Sequence, residues 1–240
     1  MAKFYGIGVG PGDSSLLTLK AVEILNHIDI LYTPEAEKNG GSLALSIAKP
    51  HFKGDLEVKY RHFPMSFNKA EKEVMWESVA KEIIEDVKSG KNVGFITLGD
   101  AMIYSTYVYI MEKLIDQVEV ETIPGISSFS NIASSQNLPL VMDTEPLVVL
   151  PCTADEKVID DAMQKYSCMV LMKVYKKFEM IRDKIEKYGL MDYAVLVSNS
   201  SQGTEKVYTD LRAIDSTQKI SYFSTILINK QYLQKVSVND

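Results

Sequence analysis

Short apolar runs alternate with longer amphipathic stretches over about the first 140 residues, which is the pattern of a parallel α/β fold. The segment 92–97 is an apolar strand that ends at a glycine turn. The segment 69–88 is predicted to be a helix, because its apolar residues from Trp76 to Val87 recur at intervals of three and four before Gly90 stops it. The same pattern predicts strands at 4–9, 28–32, 56–60 and 118–123 and helices at 14–26, 42–48, from the second glycine turn to 115, and 127–135.

A second α/β region follows the segment 137–146, which has two prolines and no clear period. We therefore expect an N-terminal α/β domain over 1–141 and a C-terminal α/β domain over 142–240. The C-terminal part is predicted to carry strands at 147–150, 168–173, 194–199 and 223–229 and helices at 155–166 and 176–188.

Composition narrows the class of protein. The 240 residues are 46% apolar and 24% charged, the balance of a globular protein. The net charge of −6 excludes a basic footprint for duplex nucleic acid, although a local lysine cluster can still dominate its own pocket. No apolar run approaches the length of a membrane span and no leader precedes the first strand, so we expect a soluble, cytoplasmic protein that binds neither membrane nor nucleic acid.

The cysteines and histidines predict no metal site. Cys152 and Cys168 form no CxxC pair and are expected to be buried, reduced thiols. His27, His51 and His62 show no paired spacing of the kind that ligands on one helix need.

The first glycine turn, GIGVGPGDS at 6–14, lies between a strand and a helix, where backbone N–H groups can approach a ligand. It is not a dinucleotide fingerprint, because the last glycine of G-x-G-x-x-G would have to be Pro11 or Asp13. It is not a P-loop either, since no Gly-Lys-Ser/Thr follows. A tight turn that only feeds the first helix remains the structural alternative for Gly10 and Gly12.

Two further glycine turns also follow predicted strands. The second, TLGDAMIYST at 97–106, carries one carboxylate, Asp100, and hydroxyl groups that open the next helix. The third, IPGISS at 123–128, adds a Pro-Gly pair and two serines. Ligands of open α/β sheets bind at the carboxyl ends of strands. Three such turns therefore predict one shared crevice.

Taken in order, GIGVGPGDSSLLTLKA, TLGDAMIYST and IPGISSF resemble the tetrapyrrole methyltransferases, which use S-adenosylmethionine. The resemblance covers nearly the whole chain. TLGDAMIYSTYVYI, RHFPMSFNKAEKEVMW, LVVLPCTAD and VLMKVYKKF are most similar to the members that methylate C20 of precorrin-2 or of its cobalt form, cobalt-factor II. This chain departs from the family at Ala101, where proline is usual, and at Thr33, where related uroporphyrinogen enzymes carry an aspartate.

The resemblance implies two α/β domains with a cofactor cleft between them and a homodimer. It implies that S-adenosylmethionine is bound and S-adenosylhomocysteine released. No catalytic residue is assigned, because the aspartate of the uroporphyrinogen enzymes is absent. The implied cofactor-binding residues are Pro11, Leu98, Gly99, Asp100, Met102, Ile103, Ser105, Thr106, Ser127, Ser128, Met172, Ser200 and Thr225.

The tetrapyrrole acceptor implied by the resemblance carries many carboxylates, and basic side chains pair with carboxylates. The candidate substrate-binding residues are Arg61, His62, Lys38, Lys173, Lys176 and Lys177. A solvated helix start is an equal interpretation of Lys176 and Lys177, and an ordinary loop position is an alternative for His62.

Three tyrosines in and after the second turn have two interpretations. Tyr104, Tyr107 and Tyr109 can stack on a macrocycle, whereas the three-residue spacing of Tyr104 and Tyr107 fits a buried helix face equally well. For Asp100 we favour a structural or cofactor-orienting role over that of a base, because the sequence gives it no partner that would activate it as a base.

Two other functions remain open. The first is methyl transfer by the same fold to another tetrapyrrole carbon or, as in diphthine synthase, to a protein. The second is a nucleotide-binding module without catalysis, against which the failed dinucleotide and P-loop spacings count.

Overall fold

A computed structural model describes residues 1–35, 41–52, 54–63, 69–215 and 218–232. The chain forms two units, Met1–Ser127 and Ser128–Asp240, each built around a five-stranded sheet.

The first unit contains an all-parallel sheet, which the continuous apolar runs of the sequence require, because strands buried on both faces show no alternation. The strand order is β3-β2-β4-β1-β5, so the carboxyl ends of all five strands lie on one edge. The strands are β1 (Phe4–Gly8), β2 (Ile30–Glu35), β3 (Glu57–His62), β4 (Val93–Thr97) and β5 (Val120–Ile123).

Helices cover both faces of this sheet. They are α1 (Leu19–Leu25), α2 (Leu43–Ala48), α3 (Lys69–Lys88) and α4 (Tyr107–Leu114). Phe95 and its neighbours pack with α3 and α4, whereas Ile96, the next residue along β4, packs with α1 and α2. This alternation follows from the two-residue period of a strand.

The predicted helix over 14–26 was wrong in its first turn. The structure has a short 3-10 turn at Ser14–Leu16, and α1 begins only after Thr18. The side chain of Asp13 accepts a hydrogen bond from the Ser15 N–H, and that of Thr18 accepts one from the Ala21 N–H. Two competing caps therefore divide the segment, with Leu17 extended between them.

The second unit contains a mixed sheet of order β6-β7-β10-β8-β9. Only β6 and β7 are parallel, and β10 runs antiparallel to both of its neighbours. The sequence pattern did not predict β9, a three-residue, largely exposed edge strand. The elements are α5 (Ser128–Ser135), β6 (Leu147–Pro151), α6 (Glu156–Lys165), β7 (Cys168–Met172), α7 (Phe178–Lys187), β8 (Ala194–Ser198), β9 (Lys206–Tyr208) and β10 (Ser224–Asn229).

The units divide between Ser127 and Ser128, whereas the sequence places the domain boundary at 141/142. Helix α5 lies with the second unit, where it packs against β10 and where Asn131 donates a 2.8 Å hydrogen bond to the Ser200 hydroxyl. The proline-containing segment is also attached there, since the Asn229 amide donates to the Pro139 carbonyl at 2.7 Å. The segment 137–146, with its two prolines, is therefore a loop anchored inside the second unit rather than the point at which the units divide.

Candidate functional site

The first two glycine turns of the first unit pair through their backbones. The Gly99 N–H donates to the Gly10 carbonyl at 2.7 Å, and the Gly10 N–H donates to the Gly99 carbonyl at 3.2 Å. Because β4, β1 and β5 are neighbours, the third turn lies beside them. We call Gly8, Gly10, Gly99 and Gly125 the glycine junction.

Glycine is required at Gly8 and Gly125 for lack of space. A Cβ added at Gly125 would lie 2.1 Å from the Gly99 carbonyl oxygen, and one at Gly8 would lie 2.6 Å from the Gly125 nitrogen. Gly99 is different. It has φ +70°, and a Cβ there would meet no atom within 4 Å in the described part of the chain. The junction is therefore packed on its inner side and open at Gly99.

Asp100 ties the second turn to the third. Its Oδ1 accepts the Met102 N–H at 2.9 Å, and its Oδ2 accepts the Gly125 N–H at 3.0 Å. Charge-assisted bonds to backbone N–H groups are among the stronger hydrogen bonds in proteins. This geometry supports the positioning role proposed for Asp100 over that of a base.

The hydroxyl groups at the start of α4 divide into one that faces inward and one that does not. Ser105 is buried, shares a 2.8 Å hydrogen bond with Thr97 and accepts the Tyr107 N–H at 3.1 Å. Thr106, half-buried, makes no capping bond with its side chain in this described segment. Ser105 therefore fixes the entry into α4.

The three tyrosines have different environments. Tyr107 is fully buried, its ring lies where Gly6 lacks a side chain, and its hydroxyl shares a 2.5 Å hydrogen bond with Thr122. Burial raises the pKa of Tyr107. Tyr109 stacks on Trp76 with ring centroids 4.1 Å apart. Tyr104 is 43% exposed in the second turn. The buried-face interpretation therefore holds for Tyr107.

The remaining cofactor candidates of the first unit lie on the same edge. Pro11 is buried just after β1, and Met102 is 52% exposed. Leu98 and Ile103 are partly buried in the second turn. Ser127 ends the first unit and Ser128 begins α5 of the second.

The structure also brings together the three candidates of the second unit. Met172 and Thr225 are direct partners across β7 and β10. Ser200 follows β8 and is 4% exposed, with its hydroxyl held by Asn131. The Asn199 N–H donates to the Phe223 carbonyl at 2.8 Å, which fixes the loop after β8 beside the start of β10.

Backbone strain marks this edge of the second unit. Lys173, Asn199 and Ser201 have φ of 58°, 55° and 57°, a left-handed region that asparagine adopts readily but lysine and serine adopt rarely. All three follow strands, and the backbone strain at Lys173 and Ser201 is of a kind that is concentrated at functional sites. Sequence reasoning singled out Lys173 for its charge only, and nothing in the residue types signalled Ser201.

Arg61 is engaged with α3. Its guanidinium pairs with Glu82, at 2.9 Å from Nε, and lies 5.4 Å from the centroid of the Tyr32 ring. Lys59, two residues earlier on the same strand, pairs in the same way with Asp86. The basic residues of β3 therefore attach α3 to the sheet, and a role for Arg61 in substrate binding has no geometric support.

The other candidate cations are in varied positions. The Nδ1 atom of His62 is buried and has no hydrogen-bond partner among the described residues. The Lys176 ammonium lies 5.5 Å from the centroid of the Tyr175 ring, and Lys177 donates to the Ala154 carbonyl at 3.5 Å. Lys38 and most of the FPMSF segment lie outside the described residues.

Thr33 is fully buried and donates a 2.7 Å hydrogen bond to Ser42, the residue that caps α2. Its side chain is therefore committed to the local fold. The position at which the uroporphyrinogen enzymes carry an aspartate has a structural role here.

Neither thiol is poised for chemistry. Both cysteines are buried; burial raises the pKa of Cys152 to about 12, and burial together with Glu145 raises that of Cys168 to about 11. Within the described ranges, no three metal-ligating side chains cluster. No helix in those ranges has the length and apolar content needed to cross a membrane.

The fold and the three turns define an α/β protein with a candidate ligand site at its strand ends, and comparison with known proteins identifies the family. Residues 3–215 match the sequence profile of the tetrapyrrole (corrin/porphyrin) methylases, and the chain belongs to this family.

Two curated relatives and one solved structure are the most informative. The chain is 40% identical to a cobalt-precorrin-2 C(20)-methyltransferase of Salmonella typhimurium, over 96% of this chain and 97% of that protein. It is 28% identical to a precorrin-2 C(20)-methyltransferase of a Sinorhizobium species, over 95% of each. The fold matches uroporphyrin-III C-methyltransferase of Thermus thermophilus in complex with S-adenosylhomocysteine, with a TM-score of 0.67 and 17% identity, covering 98% of this chain and 100% of that one.

Proposed function

We propose that this protein transfers a methyl group from S-adenosylmethionine to C20 of cobalt-precorrin-2 or a closely related cobalt form of precorrin-2, a step of cobalamin biosynthesis. The observation that carries the proposal is the glycine junction, closed by backbone packing on one side and open at Gly99 on the other. The relatives support the choice of acceptor: the chain is 40% identical to the relative named for cobalt-precorrin-2 and 28% identical to the relative named for precorrin-2.

The residues of the first unit fit the methyl donor. The open face at Gly99 lets a ligand approach the backbone without meeting a side chain. Asp100 fixes the turns on either side of this face through its two backbone hydrogen bonds. Pro11, Leu98, Met102, Ile103, Ser105, Thr106, Ser127 and Ser128 complete this part of the proposed cofactor set.

The second unit adds Met172, Ser200 and Thr225 to the proposed set. Their positions are fixed by strand pairing and by the Asn131 amide. A site built from such groups binds and orients, and positioning supplies much of the rate of a displacement between two bound reactants.

The donor, when bound, supplies a methyl group on a sulfonium, whose neutral thioether is a good leaving group. In the proposed reaction a carbon–carbon bond forms at C20 as the carbon–sulfur bond breaks, and the C20 proton is lost. The electron-rich macrocycle is the nucleophile, so the protein needs no covalent catalyst. The raised pKa values of Cys152 and Cys168 are consistent with a reaction that uses no thiolate nucleophile.

The family resemblance further supports a cytoplasmic homodimer.

The test is an anaerobic methyl-transfer assay. Purified protein is incubated with S-adenosylmethionine and, in parallel, with cobalt-precorrin-2, cobalt-factor II and metal-free precorrin-2, and the products are analysed by mass spectrometry and carbon-13 NMR. We expect one added methyl at C20, and faster transfer to a cobalt acceptor. Methylation at another carbon would overturn the assigned position, and no methylation of any of the three would overturn the acceptor class.

Cofactor binding is measured separately, by calorimetric titration with S-adenosylhomocysteine. Binding of S-adenosylhomocysteine without methyl transfer would support the proposed cofactor site and overturn the proposed acceptor. Failure to bind S-adenosylhomocysteine would overturn the proposed cofactor site.

A further inference from the structure

A groove of about 520 Å³ lies on the second unit, where the chain leaves β7 and enters α7. Tyr175, Lys176 and Lys177 line one part of it, and Gln218, Lys219 and Ile220 line another. We call it the Lys176 groove. Nothing in the cofactor assignment uses it.

The charges of the groove favour an anionic occupant. Its two acids are already paired with cations of α7: Glu156 lies 3.3 Å from the Lys184 ammonium, and Glu179 pairs with Arg182. Lys176 and Lys219 are exposed, and no carboxylate of the described ranges forms an ion pair with Lys219. Local positive charge therefore remains despite the net charge of −6.

An aromatic surface continues from this groove. The Tyr175 ring, which lines the groove, meets the Tyr222 ring at 5.0 Å between centroids, and Tyr222 meets Phe223 at 5.1 Å. Tyr222 and Phe223 are 38% and 39% exposed, although large rings are normally covered. Burial and the neighbouring Tyr175 raise the pKa of Tyr222, so its hydroxyl stays neutral and does not repel a carboxylate.

This aromatic surface leads back to the strand ends. Phe223 immediately precedes β10, and Thr225, two residues further on, is the partner of Met172. Within the second unit, a line of side chains therefore runs from proposed cofactor residues over two exposed rings to a basic groove. A planar apolar ligand with carboxylate substituents matches this arrangement, because its face can contact the rings while a carboxylate reaches the lysines.

We propose that the Lys176 groove binds a peripheral carboxylate of the tetrapyrrole, with Tyr222 and Phe223 in contact with the face of the macrocycle. This inference rests on the proposed function and assigns the residues that recognise the acceptor. It adds Lys219, Tyr175, Tyr222 and Phe223 to Lys176, the candidate that sequence reasoning had named.

The test uses porphyrin binding, which needs no catalysis. Octacarboxylic uroporphyrin and tetracarboxylic coproporphyrin are titrated into the full chain, and porphyrin fluorescence gives Kd. The double variant Lys176→Ala/Lys219→Ala is compared with Lys165→Ala/Lys206→Ala, which removes two exposed lysines of the same unit outside the groove.

We expect the groove variant to raise the Kd of uroporphyrin about fivefold to tenfold and that of coproporphyrin about twofold, because fewer carboxylates reach the groove. The control pair should stay within about twofold of the unaltered protein, and raised salt should narrow the difference. Lys176→Arg/Lys219→Arg should restore the affinity for uroporphyrin. Equal Kd values for the groove and control variants would overturn the proposal.

A third variant tests the aromatic part. Tyr222→Leu should raise both Kd values by a similar factor of about three, because it removes a ring contact and no charge. Unchanged affinity in this variant, with an unchanged Tm, would remove the rings from the site.

The two proposals fail differently. If the groove variant methylates a tetrapyrrole with a normal KM, the proposed role of the groove is overturned and the proposed methyl transfer is kept. If porphyrin binding depends on the groove but no acceptor is methylated, the role of the groove is supported and the proposed reaction is overturned. Absence of porphyrin binding by the unaltered protein would overturn the groove.

Discussion

The two units reach a similar arrangement of strand ends by different physical means. In the first unit, three turns after neighbouring parallel strands pack backbone against backbone, and Gly8 and Gly125 leave no room for a Cβ. In the second unit, a mixed sheet places its strand ends together by antiparallel pairing, and side chains such as Asn131 hold the connecting loop. The first edge therefore depends on the absence of side chains at its glycines. The second edge depends on hydrogen bonds that side chains donate.

This difference predicts a difference in tolerance. A close contact between backbone groups cannot relax easily, because carbonyl and amide groups cannot rotate away from an added atom as a side chain can. A side-chain hydrogen bond contributes about 1 kcal/mol and can be lost without moving the backbone. Substitutions in the glycine junction should therefore cost more than substitutions among the supports of the second unit.

The largest effect is expected from Gly125→Ala. The added Cβ would lie 2.1 Å from the Gly99 carbonyl oxygen, so one of the turns must move. We expect a loss of about 3 kcal/mol in the free energy of unfolding and loss of measurable S-adenosylhomocysteine binding. Chemical denaturation and calorimetry check both, and a variant with wild-type values would break the comparison between the units.

Asp100→Ala should cost less, about 2 kcal/mol, because it leaves the N–H groups of Met102 and Gly125 without their acceptors. We expect S-adenosylhomocysteine to bind about tenfold to a hundredfold more weakly while the fold persists. Asp100→Asn, whose single amide oxygen replaces two carboxylate oxygens, should fall between. Unchanged affinity and turnover in the alanine variant would remove Asp100 from the site.

Gly99→Ala and Gly189→Ala form a matched pair. Their φ angles are 70° and 65°, and at both a Cβ would meet no described atom within 4 Å. Each should cost about 1–2 kcal/mol of stability through the left-handed backbone. Only Gly99→Ala should weaken S-adenosylhomocysteine binding, because only Gly99 opens onto the proposed cofactor site. Equal affinities in the two variants would place the cofactor elsewhere.

The smallest effect is expected from Asn131→Ala in the second unit. Loss of its hydrogen bond to Ser200 should lower stability by about 1 kcal/mol and cofactor affinity by less than about tenfold. Asn131→Leu, which keeps a similar side-chain size but has no hydrogen-bonding group, is the control for packing. An effect as large as that of Gly125→Ala would show that the second edge is no more tolerant than the first.

Much of the fold was predictable because its signals are local. The helix at 69–88 follows from its apolar period, the strands of the first unit follow from short apolar runs, and the three turns follow from glycine after a strand. The predicted convergence of the turns is confirmed by the order β4-β1-β5. The buried interpretation of Tyr107, by contrast, needed the vacancy that Gly6 leaves on the neighbouring strand, which no local pattern contains.

Partners distant in sequence leave no local signal. A cation at a strand end carries no mark of its partner, and the Glu82 carboxylate that pairs with Arg61 lies on α3. Proline commonly marks the ends of structural elements, which favours a boundary at 141/142 in the sequence. In the structure the units divide after Ser127, and the Asn229 amide holds the Pro139 carbonyl within the second unit.

The sequence by itself determined the parallel sheet of the first unit, the three turns and the absence of dinucleotide and P-loop spacings. It did so because turn chemistry and periodicity are properties of neighbouring residues. The family followed from the resemblance of the three turn motifs to known proteins, and the family profile over residues 3–215 confirms it. Only the tertiary structure decided that Asp100 joins two turns, that Arg61 attaches a helix, and that Tyr175, Tyr222 and Lys219 share one surface. Those facts depend on chain segments brought together across the fold, and hydrogen bonds and charges act over ångströms in space rather than over positions in the chain.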